Sequence, residues 1–173
     1  MTHLSLEERA RLYGEERSVA IDFSARYGFG TDGTVWRTAH PTDATAVKVF
    51  ENVENYYRER NCYQRLSERG IQKIDECRIP SFRGYSDELL IVEMGVVSVP
   101  YILDFGKAYL DCKPPFDADQ LASWHEELRE IWGKKHYKRV MSILAQLQAV
   151  GICNLDAKPG NICFADWNDD QEV

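Results

Sequence analysis

Gly151-Ile-Cys-Asn-Leu-Asp156-Ala-Lys158-Pro-Gly-Asn161-Ile-Cys-Phe164 is the stretch on which the reading of this chain turns. It sets a carboxylate, an ammonium and an amide at i, i+2 and i+5 around a Pro-Gly turn, directly after an amphipathic helical pattern. Those three groups suit phosphoryl transfer. An Asp orients and deprotonates a hydroxyl, a Lys neutralises a phosphate, and an Asn carbonyl ligates Mg²⁺. By itself the string is weak, because turns are rich in the same residues. Its meaning depends on what precedes it.

Gly28-Phe-Gly30-Thr-Asp-Gly33-Thr-Val35 fits G-x-G-x-x-G-x-V without a substitution. Residues lacking a Cβ let backbone amides approach phosphate oxygens closely. A dinucleotide-binding βαβ unit shares the glycine string but needs a helix straight after it. Here Thr34-Val-Trp-Arg-Thr38 is β-branched and aromatic and Pro41 follows, so a strand is predicted and the dinucleotide reading falls. A plain glycine-rich hairpin is the bland alternative. Ala44–Phe50 then alternates as a strand from which Lys48 projects. Tyr56–Arg69 carries Tyr56, Glu59, Cys62, Tyr63 and Leu66 at helical steps, which puts Glu59 on the inward stripe. A carboxylate there needs a partner, and Lys48 is the candidate. The bland alternatives are a surface lysine and a solvated glutamate beside Arg60.

In this order the motifs resemble the protein kinase superfamily: glycine-rich loop, Ala46-Val47-Lys48 on a strand, Arg58-Glu59 on a helix, then Asp156, Lys158 and Asn161. The resemblance spans roughly Tyr27 to Phe164. It implies an α+β chain of minimal protein kinase-like fold, a single domain over 1–173. A small antiparallel sheet lobe with one helix would occupy about 18–94, and a reduced helical lobe about 95–173. It implies ATP and Mg²⁺ as cofactors and a protein or small molecule as acceptor. Gly28, Gly30, Gly33, Val35, Lys48, Glu59 and Glu93 would then bind nucleotide, with Lys48 on the α/β-phosphates and Glu59 holding Lys48. Asp156 would orient the hydroxyl, Lys158 would contact the γ-phosphate and Asn161 would bind metal.

Three departures from that pattern matter. Asn154 and Leu155 stand where the family has His-Arg, so the link to a phosphorylated activation segment is missing. The family's second metal ligand, the Asp of Asp-Phe-Gly, follows the loop Asn, and this chain reaches Val173 without it. No activation segment or peptide-binding helical lobe follows either. A literal Asp104-Phe105-Gly106 occurs early, between the strand at Leu89–Met94 and the region before Pro114-Pro115 that the family uses as a hinge. Coincidence is its simplest reading, a ribose contact the next. A substitute metal ligand ranks last, because it would scramble the motif order. An enzyme and a pseudokinase that binds nucleotide or a partner without transferring phosphate both remain open.

The rest of the chain is consistent with one small domain. It has 173 residues, 44% of them hydrophobic, and a net charge of −7, which argues against coating nucleic acid. Five scattered cysteines without a C-x-x-C pair suit reduced thiols, and the four histidines lack metal spacing. No apolar run approaches a membrane span, and the N-terminus lacks a signal peptide's apolar core, so a soluble cytoplasmic protein is expected. Ser5-Leu-Glu-Glu predicts a capped helix to about Tyr13 with a mostly solvated face. Asp117–Trp132 and His136–Val150 read as helices broken at Gly133, with Trp124 and Trp132 as core aromatics. Asp166, Asp169 and Asp170 read as turn residues ahead of a return strand at Gln171–Val173, with a cation site as a weak second reading.

Overall fold

The computed structural model of the chain describes residues 4–30, 33–39 and 43–167. Helix α1 (Leu6–Arg17) starts at Ser5, whose hydroxyl accepts from the Glu8 amide while the Glu8 carboxylate accepts from the Ser5 amide at 2.7 Å. This is the predicted reciprocal cap. β1 (Ile21–Gly30) pairs antiparallel with β2 (Gly33–Thr38), and β3 (Thr45–Phe50) follows. Helix α2 (Val53–Glu68) begins at Asn52, whose side-chain oxygen accepts from the Glu54 and Asn55 amides at 2.8 and 3.0 Å. Gly70, at φ 66°, takes the left-handed conformation after the helix end, as the sequence predicts.

Two short strands, β4 (Lys73–Ile74) and β5 (Cys77–Arg78), lead to β6 (Phe82–Ser86) and β7 (Ile91–Gly95). The main sheet has the order β1-β2-β3-β7-β6 and every pairing in it is antiparallel. β3 is buried along its whole length because both faces of this sheet are covered. Ala46 and Phe50 pack with Tyr56, Cys62, Tyr63 and Leu66 of α2. Val47 and Val49 pack on the opposite side with Ala10 and Tyr13 of α1. The expected solvated face of α1 is therefore corrected. Its contact is made by a few small and aromatic residues rather than a continuous apolar stripe, so helical periodicity carries little trace of it.

The second half is built on two strand–loop–strand segments. The first runs through β8 (Tyr101–Ile102) and β9 (Tyr109–Leu110); the second runs through β10 (Ile152–Cys153) and β11 (Ile162–Cys163). β9 pairs with β10 and β8 with β11, both antiparallel, so the two segments lie face to face. Between them in sequence runs α3 (Ala118–Ala149), kinked at Gly133, whose φ of 61° and ψ of 171° interrupt it where the sequence places a break.

Asp166 is not a plain turn residue. It accepts from Arg139 at 2.7 Å, lies 3.0 Å from Lys135 Nζ and 3.3 Å from His136 Nε2. The Arg139 contact, with Lys135 behind it, holds the Asp166 carboxyl well below the usual range. The segment after β11 is tied to α3 by side-chain cations. Asp169, Asp170 and the predicted return strand lie outside the described residues. Among those described, no helix is long and apolar enough to cross a membrane.

Candidate functional site

Strand alternation decides what Lys48 faces. Odd-numbered Val47 and Val49 point toward α1, so Lys48 shares the α2 side with Ala46 and Phe50. Its Nζ lies 2.6 Å from Glu59 Oε2, and the Glu59 side chain is 1% exposed. A surface lysine and a solvated glutamate are both ruled out. A third group completes the cluster: Asp104 Oδ1 is 3.5 Å from the same ammonium. Sequence order gives no reason to place Asp104 beside Lys48. The β8–β11 pairing delivers it, with the Leu103 amide donating to the Asn161 carbonyl at 2.6 Å.

Two carboxylates here share one ammonium. Burial pushes the Glu59 carboxyl up to about 7, with Asp104 adding to the rise and Lys48 opposing it. Burial also raises Asp104, but the Lys48 charge and the Gly106 amide, donating at 3.1 Å, more than offset it and leave its carboxyl below the usual value. Lys48 lies closer to Glu59, yet Asp104 is the more readily ionised. Asp104 has a backbone donor and a solvent edge, 26% exposed, that Glu59 lacks. With both carboxylates ionised the cluster carries excess negative charge. Asp104 also sits at φ 60°, a left-handed conformation costly for a residue with a Cβ and one that gathers at functional sites. It is held there by Phe105, fully buried, whose ring meets that of Tyr63 edge-on at 5.2 Å.

The loop from Asn154 to Asn161 is fixed through its main chain. Trp124 Nε1 donates to the Leu155 carbonyl at 3.0 Å and Trp132 Nε1 to the Ala157 carbonyl at 2.7 Å, so α3 grips the peptide on both sides of Asp156. The Asp156 amide donates to Asn154 Oδ1 at 3.1 Å, and Asn161 Nδ2 donates to the Asp156 carbonyl at 2.9 Å. That last bond uses the Asn161 nitrogen and leaves its side-chain oxygen as the group available to a cation. Asp156 Oδ2 itself lies 3.2 Å from Lys158 Nζ and 3.4 Å from Lys107 Nζ. The tryptophans are core aromatics, as predicted, with a second use in their N–H groups. Only the three-dimensional pairing of α3 with this loop reveals it.

A cavity of about 370 Å³ is lined by Val35, Lys48, Glu59, Asp104 and Asn161, together with Met94 and Val97. Gly95, the last residue of β7, and Val96 after it also line the cavity. Tyr63 also lines the cavity. Gly28 pairs with Val35 and Gly30 with Gly33 across the β1–β2 hairpin, while Thr31 and Asp32 at its tip lie outside the described residues. Gly33 has a packing reason to be glycine: at φ 140°, a Cβ would come 2.0 Å from the Val49 carbonyl oxygen. Glu93 is a correction. Its carboxylate accepts from Tyr13 at 3.0 Å and Thr45 at 3.1 Å on the α1 side of the sheet, since period two gives the cavity to Met94 instead.

Among the described residues no group of three or more His, Cys, Asp or Glu side chains forms a metal cage. Compared with known proteins, the chain matches no family model and no curated sequence.

Proposed function

We propose that the chain is a minimal kinase-like phosphotransferase that uses ATP with Mg²⁺. The observation that carries this reading is the Lys48–Glu59 pair at 2.6 Å, facing Asp104 and Asn161 across one cavity. Lys48 binds the nucleotide's inner phosphates, and Glu59 keeps its ammonium in the cavity. Asp104 and the Asn161 oxygen fit a divalent cation, because the Lys48 cluster has one carboxylate more than it has ammoniums. Bound there, Mg²⁺ supplies charge neutralisation for the polyphosphate. Asp156 orients an acceptor hydroxyl and takes its proton, and Lys158 neutralises the transferred phosphoryl group.

Against the kinase pattern, the two face-to-face segments arrive in exchanged order. The Asp104-Phe105-Gly106 segment precedes α3 and the Asp156 loop follows it. Antiparallel pairing of β8 with β11 and of β9 with β10 is indifferent to which segment comes first. Asp104 is the carboxylate that this reading assigns to the metal.

A second reading, a pseudokinase that binds nucleotide or a partner without transferring phosphate, is favoured by one observation. Asp156 Oδ2 is engaged by two ammoniums and has to be released before it can accept a proton. Transfer of labelled γ-phosphate from ATP, measured with Asp156→Ala alongside wild type, separates the two. The enzyme reading expects transfer to fall at least about a hundredfold, the scale of a lost general base, with ATP binding retained. Wild type that binds ATP and transfers nothing, to itself or to offered hydroxyl acceptors, assigns the chain to the second reading.

A further inference from the structure

Lys107 belongs to neither lobe's expected machinery, yet it reaches Asp156 Oδ2 at 3.4 Å. Its side chain is 48% exposed, as an ordinary surface lysine's is, and a bond of that kind contributes little to stability. Its main chain is different. Lys107 sits in a tight turn closed by the Ala108 amide donating to the Phe105 carbonyl at 2.9 Å, and both Phe105 and Ala108 are fully buried. The head is free to move while the base is anchored, three residues from Asp104.

Charge along the cleft is polarised. Its inner end holds Glu59 and Asp104 against Lys48, an excess of one carboxylate. Beside the cavity, tied to Asn161 through the Asp156 carbonyl and to Asp104 through the chain, Lys107 and Lys158 face Asp156, an excess of one ammonium. A metal–polyphosphate has the complementary order, cation first and terminal phosphate outward. Two lysines converging on a single carboxylate oxygen also use the same lone pairs, so an entering dianionic phosphate is the stronger partner for one of them.

Resting on the nucleotide reading above, we infer that Lys107 is a second cation for the terminal phosphate of the bound nucleotide. It parks on Asp156 when that phosphate is absent and leaves the carboxylate open to the acceptor when it is present. The departure of Lys107 therefore couples arrival of a triphosphate to release of the base. A diphosphate, lacking the terminal group, leaves the latch closed.

The test is the affinity of wild type, Lys107→Gln and Lys107→Arg for Mg²⁺–ATP and Mg²⁺–ADP, measured by calorimetry, with melting curves to show that all three fold. The inference expects wild type to prefer ATP, K107Q to lose about tenfold of that preference and K107R to restore it. ADP affinity should stay unchanged throughout. Wild type that binds ATP and whose preference survives in K107Q overturns the role of Lys107 and leaves the nucleotide reading standing. Wild type that binds neither nucleotide overturns both.

Discussion

Two charged clusters, one lining the cavity and one beside it, are opposites in charge balance and in exposure. Around Lys48 the groups are packed between β3, α2 and the Asp104 turn, and two carboxylates contend for one ammonium. Around Asp156 two half-exposed lysines contend for one carboxylate. A dry cluster with unbalanced charge costs stability and holds geometry; a wet one costs little and can change partners. The contrast separates a rigid arrangement of charges from one that can change partners.

Breaking the inner cluster has the largest expected effect. Lys48→Met leaves Glu59 and Asp104 facing each other without a cation, and urea unfolding should show a loss of about 3–5 kcal/mol. Next comes the grip of α3 on the loop from Asn154 to Asn161. Trp132→Phe removes the pyrrole half of a buried ring and with it the donor to the Ala157 carbonyl, a cost of at least about 1–3 kcal/mol by the same measurement. Trp124→Phe, at a half-buried site, should cost about 1 kcal/mol or less. If Trp124→Phe proves the more damaging, the loop is anchored from its exposed side and this description of it is wrong.

Titration sharpens the contrast further. Glu59 holds its proton up to about pH 7 in the fold, against about 4.5 for an unperturbed Glu. Between those values the folded chain binds more protons than the unfolded one. This group's contribution is thus complete at the low end and lost as pH rises through the window. Asp104 and Asp166, with lowered values, act in the opposite sense and lose their contributions as pH falls below the usual Asp range. Urea midpoints across the window should fall with rising pH in wild type and flatten in Glu59→Gln. A slope unchanged by that substitution places the titration elsewhere. The smallest effect belongs to the outer cluster: Lys107→Gln should change stability by under about 1 kcal/mol.

What the sequence made legible follows the same division. Lys48, Glu59 and Val35 were readable because period-two and period-3.6 patterns are local, and the motifs carrying them keep their order. Asp104 was not, though its three-residue string stands in plain view. Its place depends on β8 pairing with β11, which are some sixty residues apart and two residues long, too short to leave a pattern. Glu93 went the other way: motif position assigned it to the cleft, while strand alternation turns its side chain toward Tyr13 and Thr45. The docking of α1 through Ala10, Tyr13 and Gly14 was hidden because small residues bury a helix without an apolar stripe. The Trp132 and Trp124 donors were hidden because a ring's burial says nothing of where its N–H points.

The central claim is that Asp104, out of order in sequence, serves the cleft as its cation ligand. Thermal unfolding of wild type and Asp104→Asn with ATP, with and without Mg²⁺, tests it most directly. A ligand at about a hundred times its Kd stabilises by roughly 2.7 kcal/mol, well within reach of a melting curve. The account predicts an ATP shift that Mg²⁺ enlarges in wild type, and an enlargement lost in D104N. No ATP shift in wild type, or a Mg²⁺ enlargement that survives in D104N, would contradict it.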